Sequence, residues 1–489
     1  MNPVLLLIPI LLPFLGGGFL LLRPMLDNRR RNLYTGAVAC TVSVLVFVLL
    51  SGIPRGQSAT VYSFVEGFSV GFMVDGPSML FAGMIAVMWP LALLYAFSYM
   101  EAEERRAGWR NTFFAFYLMT YGVTLAIAFA ENLVTMYVFF EMLTLITIPL
   151  VSHWQNPDSV YSGRVYTAYC IAGASMAFIA VVMGTLDGSG SFRYGGNLAN
   201  EFDPALMRGV FLFGFFGFGT KAALFPLFRW LPQASVAPTP VTALLHAVAV
   251  VNSGAYAVMR LTWYAFGPDL LLGSREQTVC VLAAAFSMVF AAWMALRQRH
   301  FKRRLAYSTM SNLSYILFGV ALMTPEGFWG GLAHMLFHGI IKMSLFLCAG
   351  AFMCLTGNAY IYELDGAGRR MPVTFVCYTL GALSLTGIPL FCGFVSKWRL
   401  LTAGIQAGTA ASVAGAAALV ISAFLCAVYS LTVSVRAFFA PESRYPQGVQ
   451  EASWRMLVPI GLFTAANLLF GLWSGPVMAF LESIARGAL

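Results

Sequence analysis

Charged residues are scarce in this sequence. Of 489 residues, only 10% are Asp, Glu, Lys or Arg, whereas 59% are hydrophobic. Soluble domains carry about 25% charged residues, and a chain with so few cannot cover a folded surface with polar groups. The composition excludes a soluble enzyme, a nucleic-acid-binding protein and a disordered scaffold. It indicates that lipid is the main solvent of the folded chain.

Cysteine patterns typical of redox or metal sites are also missing. The eight cysteines include no C-x-x-C pair, and most lie inside apolar runs. They are typical of small buried hydrophobic residues rather than of a disulfide framework or an iron–sulfur site. We therefore expect no cofactor and no redox centre in this chain.

Long apolar runs are abundant. A helix that crosses the hydrocarbon needs about 20 mostly apolar residues. The predicted fold class is all-α, a polytopic membrane protein with about fourteen transmembrane helices, thirteen or fifteen being the alternatives. The longest external connection is expected at 187–208, with room for a short cap only. The predicted spans are 3–22, which lacks the features of a cleaved signal peptide, 33–52, 76–98, 111–129, 132–152, 165–186, 209–228, 240–262, 277–296, 305–324, 327–356, 373–391 with a continuation to 405, 409–435 and 456–481.

Basic residues are distributed unevenly between the connections. The even-numbered connections and the C-terminus hold six: Arg55, Arg193, Arg208, Arg260, Arg275 and Arg486. By the positive-inside rule, the richer odd-numbered connections are cytoplasmic, so both termini are predicted to face outward in a cell inner or plasma membrane. The odd-numbered connections hold nineteen: Arg23, Arg29, Arg30, Arg31, Arg105, Arg106, Arg110, Arg164, Arg229, Arg297, Arg299, Lys302, Arg303, Arg304, Arg369, Arg370, Arg436, Arg444 and Arg455.

Ionisable residues inside the predicted spans are candidate functional groups, because a charge at that depth costs at least about 2.5–3.5 kcal/mol. Glu141 lies about nine residues into the fifth span, and Lys221 is surrounded by Phe, Gly and Ala. Burial disfavours the charged form of such a lysine, so Lys221 is a candidate proton carrier. Pro226 follows it and is predicted to open the helix. The alternatives are a structural Lys–Glu bridge, or a permanently protonated Glu141.

Three further candidates share one helical stripe. His334, His338 and Lys342 are spaced four residues apart and project from the same face of the eleventh span. Such a file can be bridged by water. The alternative is zinc, for which H-x-x-x-H is ligand spacing. The expected glutamate is replaced by Met335, however, so no metal site is predicted.

Two more ionisable residues are ambiguous by themselves. His246 lies nearly two turns inside the eighth span, where a histidine is either a hydrogen-bonded core residue or a relay. Lys397 follows the helix-breaking sequence at Pro389, and its alternative is a lysine that reaches the outer interface. Each half of the chain thus carries one lysine beside a proline break, in reversed order, as two inverted repeats would.

Four blocks carry a resemblance to a known family. They are FPLFRWLPQASVAPTPVTALLHA, KRRLAYSTMSNLSYILFG, HMLFHGIIKMSLFLCAG and GIPLFCGFVSKW. They resemble the antiporter-like subunits of respiratory complex I (NADH:quinone oxidoreductase), which share a fold with subunits of Mrp-type cation/proton antiporters and membrane-bound hydrogenases. The resemblance extends over about residues 70–440.

The resemblance implies fourteen helices with two inverted five-helix repeats, discontinuous at helices 7 and 12. The domains would be residues 1–110 (helices 1–3), 111–262 (first repeat, helices 4–8), 277–438 (second repeat, helices 9–13) and 439–489 (helix 14). Glu141 and Lys221 would form the family's carboxylate–lysine pair, and His246 would connect it to a central relay. His334, His338 and Lys342 would form that relay, and Lys397 the exit.

The resemblance also implies a function. The expected activity is translocation of protons, or of sodium, by one subunit of a redox-driven complex, with electron transfer confined to other subunits. Expected partners are other membrane subunits, including further antiporter-like ones, and the lipid bilayer; nucleic acid is excluded. The charged turn from Glu101 to Arg106 could dock such a partner. The alternatives are a secondary Mrp-type Na⁺/H⁺ antiporter without redox partners, and a structural membrane subunit whose charges only hold helices together.

Overall fold

The computed structural model describes residues 1–65, 67–102, 107–188, 190–441, 445 and 450–488. Most of the described chain is α-helical. Glu103, Glu104, Arg105, Arg106 and Arg444, which entered the charge pattern or the predicted docking turn, lie outside these residues.

The first part of the chain forms eleven α-helices among the described residues. Between α10 and α11, one π-helical turn covers Leu261–Phe266. The helices are α1 (Leu7–Leu22), α2 (Asn28–Gly52), α3 (Gly76–Ala102), α4 (Ala107–Ala128), α5 (Leu133–Val151), α6 (Pro157–Leu186), α7 (Pro204–Gly219), α8 (Trp230–Ala234), α9 (Thr239–Ala247), α10 (Val250–Arg260) and α11 (Pro268–Leu271).

Nine further helices complete the described chain. The longest of them, α14 (Pro325–Thr356), extends over 32 residues. The helices are α12 (Arg275–Arg297), α13 (Phe301–Ala321), α14 (Pro325–Thr356), α15 (Ala367–Arg370), α16 (Pro372–Thr386), α17 (Cys392–Gln406), α18 (Ala410–Phe439), α19 (Trp454–Leu472) and α20 (Gly475–Ala485).

Each predicted span overlaps one helix or a pair of consecutive helices, but the span predicted at 209–228 is helical only to Gly219 and continues as turns. In the described part of the chain, eleven helical segments are long and apolar enough to cross a membrane, whereas α7, α16 and α20 are apolar but shorter. The helical membrane fold is therefore confirmed. The count of fourteen spans, the inverted repeats and the domain limits stay predictions.

The connection between α2 and α3 differs from the prediction. Its strands β1 (Ser58–Val65) and β2 (Phe68–Met73) pair antiparallel. The amide of Met73 donates to the carbonyl of Phe129, so the hairpin is tied to the end of α4. The longest cap was expected at 187–208 instead. The alternation of polar and apolar residues in SATVYSFV is the local signal for a strand.

Three helix interruptions lie in the interior. The first separates α7 from α8 around Pro226, and the second separates α16 from α17 at 387–391, as predicted. Gly387 ends α16 in the left-handed region with φ +96°, which glycine adopts without a steric penalty. The third interruption, between α9 and α10 at Val248, was not predicted.

The core of the molecule surrounds α14. This helix contacts α3, α9, α13, α16, α17, α19 and α20, and the segment from Thr239 to Phe266 is buried throughout. By contrast, α2 and α18 expose large apolar side chains such as Phe47 and Phe424, as expected for lipid contact. Polar side chains on α9, α10 and α14 are thereby held away from the apolar exterior.

Candidate functional site

Lys221 occupies the turn that follows α7 and is fully buried. Its ammonium group donates to the carbonyl oxygen of Phe140 on α5 and lies 3.6 Å from the centre of the Phe140 ring. Because α7 ends at Gly219, the lysine side chain leaves an interrupted helix and not a continuous one. The structure thus places the cation where the first predicted break occurs.

Glu141 is the next residue after Phe140 and lies close enough to Lys221 for electrostatic interaction. Its Oε1 is buried and has no hydrogen-bond partner among the described residues. No ion pair within 4.0 Å joins the two side chains in this part of the chain. The two members of the predicted carboxylate–lysine pair are therefore neighbours that do not form an ion pair. We call this the open arrangement, in which the ammonium binds a backbone carbonyl instead.

His246 lies in the last turn of α9, immediately before the interruption at Val248. It is fully buried, and neither ring nitrogen has a hydrogen-bond partner among the described residues. Its ring centre lies 4.7 Å from that of Phe346. Both interpretations of His246, as a hydrogen-bonded core residue and as a relay, stay predictions.

The stripe on α14 is buried as a unit. His334 is hydrogen-bonded through Nδ1 to Ser396 Oγ at 2.9 Å and through Nε2 to Asn312 Oδ1 at 3.3 Å. The rings of His334 and His338 stack with centres 6.1 Å apart, and both ring nitrogens of His338 lack partners among the described residues. Two imidazoles thus face each other in the centre of the bundle.

Lys342 completes the stripe one turn further along α14. Its ammonium donates to the carbonyl oxygen of Leu305 at 3.2 Å and to the hydroxyl of Ser308, both on α13. No carboxylate pairs with Lys342 among the described ion pairs. Like Lys221, Lys342 is a buried ammonium held by neutral acceptors.

Lys397 lies on α17 and points back to the second helix interruption. Its ammonium donates to the carbonyl oxygens of Leu385 at 2.5 Å and Thr386 at 3.2 Å, which are the last residues of α16. The side chain is buried. The alternative in which Lys397 reaches the outer interface is therefore wrong.

The seven candidates form two groups. His246, His338, His334 and Lys397 interact electrostatically in succession, and Lys342 interacts with all three histidines. Glu141 and Lys221 form the second group. No described contact or electrostatic interaction joins Lys221 to His246.

Several polar residues around the path were missed by the sequence reasoning. Ser308, Asn312 and Ser396 contact the stripe from α13 and α17, and serines and asparagines carry no distinctive pattern in apolar spans. Among the described residues, no group of three or more His, Cys, Asp or Glu side chains is arranged to hold a metal ion.

Four described basic residues that were assigned to connections are buried, Arg260 and Lys302 among them. Arg260, at the end of α10, forms a bidentate ion pair with Asp75, at 2.5 and 2.6 Å. Asp75 also caps α3 by accepting from the amide of Ser78 at 3.0 Å. Lys302, which was assigned to a cytoplasmic connection, donates to the carbonyl of Ala237 at 2.7 Å. These cations connect helices and do not merely mark a membrane face.

A polar cavity of about 410 Å³ lies beside Lys302. Its lining includes Tyr99, Ser235, His300 and Cys354. Burial, together with the nearby Lys302 and Arg303, lowers the pKa of His300 to about 4, so this imidazole is neutral near pH 7. The carbonyl of Ala237 also accepts from Thr242 on α9, four residues before His246, so the cavity borders the helix that carries this histidine.

The sequence is similar to a known family of membrane proteins. The profile of the family described as "NADH:quinone oxidoreductase/Mrp antiporter, TM" matches residues 130–426. The A subunit of a Na(+)/H(+) antiporter from Alkalihalophilus pseudofirmus is 30% identical over 422 residues, which are 79% of this chain and 50% of that protein. The L subunit of NADH-quinone oxidoreductase from Mycobacterium tuberculosis is 29% identical over 483 residues, 94% of this chain and 73% of that protein.

The chain spans about half the length of the first of these relatives. It spans 61% of the A1 subunit of the Na(+)/H(+) antiporter from Staphylococcus haemolyticus, which is 27% identical over 505 residues, or 96% of this chain.

Three solved structures share the fold. They are the membrane-bound sulfane sulfur reductase, an archaeal respiratory membrane complex (TM-score 0.85, 22% identity, 99% of this chain and 97% of that one), the Mrp complex from Dietzia sp. (0.85, 21%, 99% and 97%) and respiratory complex I from Thermus thermophilus (0.83, 24%, 99% and 99%).

Proposed function

Because the chain belongs to the family of membrane subunits shared by NADH:quinone oxidoreductases and Mrp antiporters, we propose that it translocates protons as one subunit of a multisubunit membrane complex. The observation that carries this proposal is the file of buried ionisable side chains beside interrupted helices. Three lysines and three histidines lie in the interior, each at most 5% exposed. Intramembrane ionisable groups of this kind mark ion pathways in membrane proteins.

The first step of the proposed mechanism is electrostatic. In the open arrangement, Lys221 is held by the carbonyl of Phe140, and Oε1 of Glu141 has no hydrogen-bond partner among the described residues. Closure of the ion pair favours protonated Lys221. At an effective dielectric constant of about 20, a pair at 4 Å is worth about 4 kcal/mol, or roughly a thousandfold change in the lysine protonation equilibrium. Opening and closing the pair can therefore load and discharge Lys221.

The rest of the path continues into the second half. Protons discharged from Lys221 pass to His246 and then along His338 and His334 toward Lys397, with Lys342 setting the local field. The polar cavity beside Lys302 supplies an inlet from the cytoplasmic side, and protons leave toward the outer side past Lys397, whose positive charge controls the exit. Both directions rest on the charge pattern of the connections.

We propose that electron transfer occurs in partner subunits, because this chain offers no pattern for a flavin, quinone or metal site. The complex is then redox-driven, and this chain couples to its neighbours through the membrane. The second candidate is an Mrp-type Na⁺/H⁺ antiporter. It is favoured by the identity to the A subunit of such an antiporter over 79% of the chain.

Purification of the complex distinguishes these candidates. The chain carries an affinity tag in its native host, the complex is extracted in mild detergent, and its subunits are identified by mass spectrometry. The redox-driven candidate predicts co-purified flavin, iron–sulfur or nickel subunits and proton uptake by vesicles on addition of an electron donor. The Mrp-type candidate predicts only small membrane subunits and proton movement driven by a sodium gradient. Vesicles that move protons under neither condition would contradict both.

A further inference from the structure

The two groups of ionisable residues are separated by the interruption between α9 and α10. Lys221 lies on one side and His246 on the other, with no described contact between them. Neither Val248 nor Ala249, the residues at the interruption, carries a polar side chain. A path that uses both groups needs something else at this point.

Asn252, in the first turn of α10, is the polar side chain at the interruption. It is fully buried. Its Nδ2 donates to the carbonyl oxygen of Ala247 at 2.7 Å, which fixes the orientation of the amide. Its Oδ1 has no partner among the described residues. An oriented acceptor without a partner is unusual in a protein interior, where buried polar atoms bind protein or ordered water.

The start of α10, which carries Asn252, contacts both groups. Gly254, on another face of α10, packs directly against the backbone of Lys221, since a Cβ at position 254 would lie 2.7 Å from the carbonyl carbon of Lys221. On the other side, the carbonyl that Asn252 binds follows His246 by one residue. It abuts Gly339, the neighbour of His338, because a Cβ at position 339 would lie 3.0 Å from it.

Unpartnered polar atoms are concentrated at this junction. Besides Asn252 Oδ1, the four ring nitrogens of His246 and His338 lack partners among the described residues, and the two histidines interact electrostatically. Because α9 ends at Ala247 and α10 begins at Val250, the side chains on either side of the interruption are not packed as in one continuous helix. The junction therefore offers several acceptors and donors to the same small set of water molecules.

We propose that Asn252 is a positioning residue that orients the water through which a proton passes between Lys221 and His246. This inference rests on the proposed function. Lys221 as ammonium gives a proton to the bridging water, and that water gives a proton to the imidazole of His246. No electron is exchanged, and the amide itself is never protonated. Its Nδ2 anchors it to Ala247, and its Oδ1 accepts from the water.

An isosteric pair of variants tests the proposal. Asn252→Thr keeps an oxygen that can bind water. Asn252→Val has a side chain of the same shape as threonine but no oxygen. Proton transport is followed with a pH-sensitive dye in vesicles that hold the whole complex, energised by its electron donor or by a sodium gradient. We expect at least a fivefold lower rate for Asn252→Val than for Asn252→Thr, and a larger slowing in D₂O for Asn252→Val.

Ser253→Ala is the matched control. The Ser253 hydroxyl is equally buried but donates to the carbonyl of Ala249 within the same turn, so its removal should leave the rate and the isotope effect unchanged. A purely structural role of Asn252 would lower assembly or thermal stability without raising the isotope effect. If Asn252→Val does not assemble, the comparison is made between Asn252→Leu and Asn252→Gln.

Lys221→Ala, measured in parallel, distinguishes failure of the inference about Asn252 from failure of the proposed function. If Lys221→Ala abolishes transport and Asn252→Val transports like Asn252→Thr, the inference about Asn252 is wrong and the proposed function stands. If Lys221→Ala transports like the unmodified complex, the proposed function itself fails.

Discussion

The ammonium group of Lys221 binds the carbonyl oxygen of Phe140, the residue that precedes Glu141 in the sequence. The lysine is therefore close to its partner without being neutralised by it. In the proposed mechanism, a change of side-chain conformation at Lys221 exchanges this neutral acceptor for a charged one. This arrangement gives the pair two alternatives that differ in electrostatic energy, as a switch requires.

The histidine stripe is expected to carry protons. His334→Ala, His338→Ala and Lys342→Ala should each slow transport by about tenfold or more, because the first two remove members of the proton path and the third removes the charge that sets its local field. The measurement is dye-monitored acidification of vesicles. A chelator should leave the rate of the unmodified complex unchanged. Stoichiometric zinc in protein that has been stripped and reloaded would replace the relay with a metal site.

Lys397 is expected to tolerate a substitution that Lys221 does not. Its ammonium binds the last carbonyls of α16, and a guanidinium can donate to the same oxygens. An arginine keeps a fixed charge but does not release its proton near neutral pH. Lys397→Arg should therefore retain partial transport, whereas Lys221→Arg should have none. Complete loss in both variants would make Lys397 an obligatory proton carrier.

The ion pair of Asp75 and Arg260 is expected to stabilise the fold. Asp75→Leu leaves a buried guanidinium without its carboxylate, which costs about 3–5 kcal/mol. The double variant Asp75→Leu/Arg260→Met should regain most of the loss, since it removes both charges. Thermal unfolding in detergent measures this. Equal midpoints for the single variant and the unmodified protein would assign the pair no structural role.

The orientation of the chain can be tested by labelling. Arg30 has an 85% exposed side chain, and Arg55 is exposed on the next connection. In a Cys40→Ala/Cys354→Ala background, a membrane-impermeant maleimide should label Arg55→Cys in intact cells and Arg30→Cys in inverted vesicles only. The reverse pattern would invert the predicted topology and the direction of transport with it.

Local sequence signals predicted part of this architecture. Apolar run length predicted the helices, and glycine and proline predicted the interruptions near Pro226 and Pro389, because these residues act on their own backbone. The four-residue spacing placed His334, His338 and Lys342 on one face without knowledge of the neighbouring helices.

Features that depend on distant residues could not be predicted in this way. The ion pair of Asp75 and Arg260 joins residues 185 positions apart. The interruption at Val248 has no glycine or proline at its centre, so no local signal marks it. Charge patterns also failed to separate Arg260 and Lys302, which bind interior acceptors, from basic residues at the membrane surface.

Transport by variants of the Glu141–Lys221 pair tests the central claim most directly. Proton movement is measured in vesicles for Lys221→Ala, Glu141→Gln and the double variant, with the exposed Arg55→Ala as control and with assembly verified by purification. We expect each single variant to lose at least nine-tenths of the coupled rate. We also expect the double variant to be no worse than either, because both substitutions remove one shared interaction. Single variants that assemble and transport at the unmodified rate would contradict the account.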